Sequence, residues 1–217
     1  MTVQVLAADF ASATTSTASM PAPVFAEIAF AGRSNVGKST LLGALSERKS
    51  LARVSKDPGR TRSLVFFDVR ARRVADGPKT ADTPPPEELR LAFVDLPGYG
   101  YAKISKSEAA SWKPLIEGYL RTRVTLRMVL VLIDIRRGPQ EEERDLLEFL
   151  KQPADASRTQ PVVAKVVATK LDKLSRHERK PALKKLRDEI GLPVFGVSGE
   201  SGEGLGVLWN AIVASVL

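Results

Sequence analysis

Gly32, Gly37, Lys38 and Ser39 stand in the spacing G-x-x-x-x-G-K-S, and that spacing is a phosphate trap. The two glycines let the backbone turn tightly, and the amides that follow point inward. A helix starting near Lys38 adds about half a positive charge at the same place. With a nucleotide bound, Lys38 would reach the β- and γ-phosphates and the Ser39 hydroxyl would ligate Mg²⁺. Arg33, Ser34, Asn35, Val36 and Thr40 complete the loop. A glycine-rich turn that binds nothing could share these letters, but the flanks favour capture. Ile28 to Ala31 reads as a buried strand, and Leu41, Leu42 and Leu45 follow at helical spacing.

Three more stretches sit at the C-terminal ends of predicted strands, where open α/β sheets bind ligands. In Asp95-Leu-Pro-Gly98 the carboxylate can hold a water of a Mg²⁺ shell and the Gly98 amide can sense a γ-phosphate. In Thr169-Lys-Leu-Asp172 the carboxylate offers two acceptor oxygens. Guanine presents N1–H and its 2-amino group as adjacent donors and adenine does not, so Asp172 would select guanine. The Lys170 methylenes could lie along the base plane. Taken alone, Asp172 could equally cap the helix that follows. Val197-Ser198-Gly199 could support the guanine carbonyl with backbone amides, although Ser-Gly is also ordinary turn chemistry.

These loops need a scaffold. The 217 residues, 43% of them hydrophobic, permit one sizeable α/β domain. Residues 1–24 are rich in Ala, Ser and Thr and read as a flexible arm, with a short helix around Val5 to Phe10. The domain then spans 25–217. After a basic loop from Glu47 to Arg60, Thr61 to Val69 reads as a strand. Arg70 to Glu88 carries Pro and Gly and reads as an exposed loop inserted in a hairpin, with Leu89 to Val94 the antiparallel return. Helices are expected over Ser107–Thr122, where Pro114 could kink or divide the helix, and over Gln140–Lys151, Arg176–Ile190 and Leu205–Val216. Strands are expected over Arg127–Asp134, Pro161–Thr169 and Pro193–Val197. This alternation predicts a parallel sheet covered on both faces.

Composition narrows the classes. The chain has no cysteine, so disulfides and thiolate metal sites are excluded. No apolar run approaches the roughly 20 residues of a membrane span, and the N-terminus lacks a secretory or organellar signal, which predicts a cytoplasmic protein without membrane insertion. Net charge is +8, favouring polyanionic partners. Arg48, Lys49, Arg53, Lys56, Arg60 and Arg62 form one basic cluster. Arg176, Arg179, Lys180, Lys184, Lys185 and Arg187 form another, and together they point to RNA. The lone histidine, His177, is expected at the surface.

The order phosphate loop, Thr61, Asp-x-x-Gly, Thr-Lys-x-Asp, Ser resembles translation-factor-class GTPases. The runs Glu27 to Leu42, Pro58-Gly59-Arg60-Thr61 and Asp95-Leu-Pro-Gly-Tyr-Gly-Tyr-Ala102 resemble the EngB (YihA/YsxC) family of bacterial GTP-binding proteins, as does Leu132-Ile-Asp-Ile-Arg-Arg-Gly-Pro139. The Asp-Leu-Pro-Gly-Tyr-Gly-Tyr run prefers this family over its relatives Era, EngA and MnmE. The resemblance implies a Ras-like P-loop GTPase fold of three layers. Its mostly parallel sheet has six strands in the order 2-3-1-4-5-6, with strand 2 antiparallel. It implies a monomeric cytoplasmic GTPase needed for large ribosomal subunit assembly, linked to cell division and septation. It further implies that Gly59, Arg60 and Thr61 close on the nucleotide, that Ser39 and Thr61 hold Mg²⁺ directly with Asp95 acting through water, and that Lys38, Thr61 and Gly98 carry catalysis.

Some residues depart from the family's pattern. Gly43 stands where Asn is usual, Gly199 stands where Ala is common, and the Arg70 to Glu88 insertion is longer. Tyr99 occupies the position after Asp-x-x-Gly where Ras-like proteins place a water-orienting Gln, so intrinsic hydrolysis should be slow. Asn35 either caps the loop or, as in related families, helps to bind K⁺. Two competing classes remain at this stage. One is a GTP- and GDP-binding scaffold of negligible turnover acting in septum formation. The other is a nucleotide kinase, against which Thr169-Lys-Leu-Asp172 argues.

Overall fold

The computed structural model describes residues 2–48, 63–77, 85–98, 106–152, 158 and 160–217, with the backbone alone over 106–112. Its organising element is β2 (Ala26–Gly32), buried along nearly its whole length. A strand buried on both faces reads as a continuous apolar run, as Ile28 to Ala31 does. It lies parallel to β4 (Glu87–Asp95) on one side and to β5 (Leu126–Asp134) on the other. Outward from β5 come β6 (Val163–Thr169) and β7 (Val194–Gly196), both parallel. Outward from β4 comes β3 (Leu64–Val74), antiparallel to it.

Alternate residues of these strands feed two cores. On one face Ile28, Phe30, Phe67, Phe93 and Leu130 pack under α1 (Lys38–Leu45) and α5 (Leu205–Val216), which contributes Trp209 and Ile212. On the other, Ala29, Ala31, Phe66, Val129 and Val131 pack under three helices. These are α2 (Lys106–Thr122), α3 (Glu141–Lys151) and α4 (Arg176–Ile190), which contribute Tyr119, Leu147 and Leu186. Helix α2 runs through Pro114 without dividing. Helix α4 opens on a capping box in which Ser175 N donates to Glu178 Oε2 at 2.9 Å. His177 is exposed there, as expected.

Two expectations need correction. The N-terminal arm is a strand, β1 (Thr2–Thr14), laid antiparallel along β3 at the sheet edge. The sheet therefore has seven strands, in the order β1-β3-β4-β2-β5-β6-β7. Without β1 this is the Ras-like order 2-3-1-4-5-6. No helix forms at Val5 to Phe10, because Val3, Val5 and Ala8 pack on the first core from an extended chain, with Phe10 exposed at its rim. Phe10 meets the edge of Phe67 at 6.5 Å. The second correction shortens the Arg70 to Glu88 loop. Residues 70–74 continue β3 and 87–88 begin β4, with Arg73 paired to Glu87. Buried Val69 and Ala71 carry the alternation through the arginines.

At the N-terminal end of β2 a buried polar knot fixes the lower pole of the sheet. Glu27 Oε1 accepts from Arg123 Nε at 2.8 Å and Thr125 Oγ1 at 2.9 Å, while Oε2 accepts from the Tyr119 hydroxyl at 2.9 Å. Arg123 also donates to the Pro21 carbonyl at 2.8 Å, tying down the chain that leads from β1. The candidate site lies at the opposite pole.

Candidate nucleotide site

Five strand ends frame the candidate site, those of β2, β4, β5, β6 and β7. β2 delivers Gly32 to the loop that opens α1, so the amides at the helix start face the space above the sheet. Gly37, the N-cap of α1, has φ +104°, a region open to glycine at little cost. Lys38 and Ser39 are the first residues of the helix. β4 ends at Asp95, which is nearly fully buried, and the Lys38 ammonium contacts its carboxylate. Burial pushes the Asp95 carboxyl up, against the pull of Lys38. Leu96 N donates to the Phe30 carbonyl at 3.0 Å, aligning the turn after β4 with the loop after β2. Gly98 lies against that loop, where an added Cβ would stand 3.4 Å from Ser34 N and 3.6 Å from the Gly32 carbonyl.

β6 ends at Thr169, whose hydroxyl donates to the Val36 carbonyl at 2.6 Å. Lys170 Nζ donates to the neighbouring Asn35 carbonyl at 2.6 Å. The turn that opens at Thr169 and Lys170 is thus tied to the loop before α1 by hydrogen bonds to two adjacent carbonyls. Asp172 sits in a 3-10 turn, Leu171–Lys173, and Ser175 caps the helix that follows, so Asp172 is not that helix's cap. Ser198 is fully buried and donates to Asp172 Oδ1 at 2.7 Å. Its oxygen in turn accepts from the amides of Glu200 and Ser201 at 3.2 and 3.1 Å. The Ser198 hydroxyl, more than the weaker pull of Lys173, holds the Asp172 carboxyl below the usual carboxylate range. An ionised carboxylate with its orientation fixed suits a pair of adjacent donors.

Val197 N donates to the Ala168 carbonyl at 2.8 Å and Leu171 N to the Val197 carbonyl at 3.1 Å, joining the last two loops. Gly199 sits tightly on the first turn of α1. A Cβ there would meet Thr40 Cγ2 at 3.0 Å and the Thr40 carbonyl carbon and oxygen at 3.1 Å. This close approach gives the glycine a packing reason in this chain. Gly32 to Thr40, Asp95, Gly98, Thr169, Lys170, Asp172, Val197, Ser198 and Gly199 therefore come together at the C-terminal ends of the parallel strands. Gly59, Arg60, Thr61 and Tyr99 lie outside the described residues.

Asp134 is a site residue the sequence reading passed over. It ends β5 beside Thr169, and its Oδ2 lies 3.0 Å from Lys170 Nζ. Burial alone would raise its carboxyl. Hydrogen bonds from Arg136 and Lys170 outweigh that and hold it well below the usual range. Its signal was present: Asp134 closes an apolar strand in the same way as Asp95.

A family model described as 50S ribosome-binding GTPase matches residues 27–170. A probable GTP-binding protein EngB of Anaeromyxobacter sp. (strain K) is 42% identical over 217 residues, covering 99% of this chain and 93% of its own. Another of that name, from Exiguobacterium sibiricum, is 37% identical and covers 97% and 98%. Among solved structures, that of a probable GTP-binding protein engB superposes with a TM-score of 0.62 at 22% identity, covering 88% of this chain and 98% of the other. The elongation factor SelB of Methanococcus maripaludis with a GTP analogue gives 0.55 at 18%, covering 88% and 34%, a likeness of fold.

Proposed function

The chain belongs to the EngB family of GTP-binding proteins, and from that premise we propose that it binds GTP and GDP and hydrolyses GTP as a conformational switch. The process served is assembly of the large ribosomal subunit in the cytoplasm, with a link to normal cell division and septation. One observation carries the nucleotide reading: Thr169 and Lys170 bind adjacent carbonyls of the phosphate loop while Ser198 aims Asp172. Phosphate capture and guanine recognition are then one rigid surface, and positioning is the main catalytic resource in phosphoryl transfer.

In this reading the amides of residues 33–40 and Lys38 bind the phosphates. Asp172 reads N1–H and the 2-amino group, and Val197 to Gly199 support the guanine carbonyl. The donors suit Mg²⁺, since a hydroxyl and a carboxylate are hard oxygen ligands. Ser39 and Thr61 would hold it directly and Asp95 through water, and it would offset charge on the β- and γ-phosphate oxygens. The Asn35 side chain would serve K⁺. Gly98, Thr61 and the flanking Gly59 and Arg60 would respond to the γ-phosphate, with slow intrinsic turnover because Tyr99 has no amide to orient water.

Charge supports the RNA partner. Arg176, Lys180, Lys184, Lys185 and Arg187 are exposed on α4, a helix that starts after the base-recognition turn. Binding to large subunits should weaken with salt through counterion release. Reversing Lys180, Lys184 and Lys185 to Glu should weaken co-sedimentation with large subunits and flatten its salt dependence, with GDP affinity kept. Subunit binding equal to wild type at every salt concentration would remove α4 from the interface. Tyr99 also keeps a second reading open, a GTP- and GDP-binding scaffold. Turnover that stays negligible when large subunits are added would favour it over the switch.

A further inference from the structure

We propose that Asp134 is a positioning residue of the guanine site, its carboxylate holding Lys170 in place between the base-recognition turn and the phosphate loop. The inference rests on the guanine-nucleotide reading above and adds a residue to it. Three described non-glycine residues have positive φ: Asn35 at +62°, Glu47 at +52° and Lys170 at +61°. Two of them, Asn35 and Lys170, are joined to each other, because Lys170 Nζ donates to the Asn35 carbonyl at 2.6 Å. Left-handed backbone at a non-glycine residue is strained and persists where the surroundings hold it. Here one side chain ties both strained residues together.

The two bonds that tie the turn to the loop differ in kind. The Thr169 hydroxyl is short and buried, and it also reaches the Ile133 carbonyl at 3.2 Å, so packing alone places it. Lys170 is a long flexible stem with a strongly hydrated head, about a quarter exposed, and its carbonyl partner is neutral. Asp134 supplies the charge that keeps that head from solvent. Its side chain is 7% exposed, so the attraction is weakly screened.

The carboxylate is itself fixed before Lys170 arrives. Arg136 grips it with Nε on Oδ1 at 2.9 Å and Nη2 on Oδ2 at 2.7 Å, and the Arg136 amide adds a bond to Oδ1 at 3.1 Å. Asp134 pairs with Thr169 across β5 and β6, and Ile135 N donates to the Thr169 carbonyl at 3.2 Å. The anchor is therefore part of the sheet. An Asn at position 134 could still accept from Arg136 through one oxygen. Its amide nitrogen would then face the Lys170 and Arg136 donors and release Lys170.

A double-mutant cycle on GDP affinity, read by calorimetry, tests this. Asp134→Asn should weaken GDP binding by about tenfold, the scale of one charged hydrogen bond. In a Lys170→Ala background the same substitution should change affinity by less than about twofold, since the residue it acts through is gone. Asp134→Glu keeps the charge and should recover part of the loss. If Asp134→Asn does not fold, Asp134→Glu runs the same cycle, with a loss that vanishes in Lys170→Ala. Equal losses in both backgrounds, or wild-type affinity in Asp134→Asn, would overturn the proposal. Wild type and Asp172→Asn are measured alongside. Wild type that fails to bind GDP would overturn the functional reading and this inference together. A normal wild type with an additive cycle would overturn this inference alone.

Discussion

Glu27→Gln replaces a carboxylate by an amide of the same shape at the pole of the sheet away from the site. Glu27 is 2% exposed, and Arg123, whose Nη2 lies 2.6 Å from its Oε1, is 8% exposed at the side chain. The amide oxygen can keep the bonds from Arg123 and Thr125, and the Tyr119 hydroxyl can rotate to accept from the new nitrogen. What goes is the charge, which leaves the Arg123 guanidinium buried and uncompensated. Breaking a buried pair this way costs about 3–5 kcal/mol. At about 2–4 °C per kcal/mol for a domain of this size, the thermal midpoint should fall by roughly 10 °C. Removing both charges in Glu27→Gln/Arg123→Met should recover much of the loss, because no unpaired charge remains. Five residue steps along β2 separate Glu27 from Gly32, about 16 Å, so affinity for GDP in the proposed function should be unchanged in the folded state. Calorimetric melting at pH 7 reads the midpoints, and titration calorimetry with GDP reads the affinity. A single-variant midpoint within about 2 °C of wild type, or a double variant no better than the single, would mean that no costly unpaired charge is left at Arg123.

Two further changes probe burial near the knot and the site. Burial, followed by the Glu27 charge, raises the Tyr119 hydroxyl well above its ordinary range. The unfolded chain ionises first, so stability is intact below about pH 10 and falls as pH rises beyond it. Tyr119→Phe should flatten that alkaline slope while lowering stability at neutral pH. An unchanged slope in denaturant titrations would mean that another group sets it. Gly199→Ala forces a Cβ against the Thr40 backbone and should cost about 1–3 kcal/mol, with weaker GDP binding as the Ser198 loop shifts. Wild-type melting and affinity would show that the loop yields freely.

The strand, glycine-bounded loop and helix from Ala26 to Leu45 were legible because their signals are local. Glycines, a lysine and a hydroxyl at fixed spacing need only a strand before and a helix after, and both carry strong periodic signals. Helices α4 and α5 were readable end to end for the same reason, with Ser175 and Glu178 marking one start. β1 was hidden because two irregularities shift its alternation, between Val5 and Ala7 and between Phe10 and Ser12. Its apolar residues keep no single period of two, and an Ala- and Ser-rich strand looks like an arm. Asp134 was missed for another reason. Its partner lies 36 residues away at Lys170, and only the parallel pairing of β5 and β6 brings them together. The role of Gly199 depends on a contact with Thr40 that no local pattern records.

The most direct test of the account is the base preference of Asp172→Asn, measured by calorimetry with GDP and xanthosine diphosphate. Xanthine carries a carbonyl where guanine has its 2-amino group, so an amide at position 172 should suit it where a carboxylate does not. Wild type should bind GDP and not the xanthine nucleotide. Asp172→Asn should lose roughly a hundredfold or more in GDP affinity and gain xanthosine diphosphate binding. Equal GDP affinity in the two proteins, with no gain for the xanthine nucleotide, would contradict the assignment of Asp172 as the residue that reads guanine.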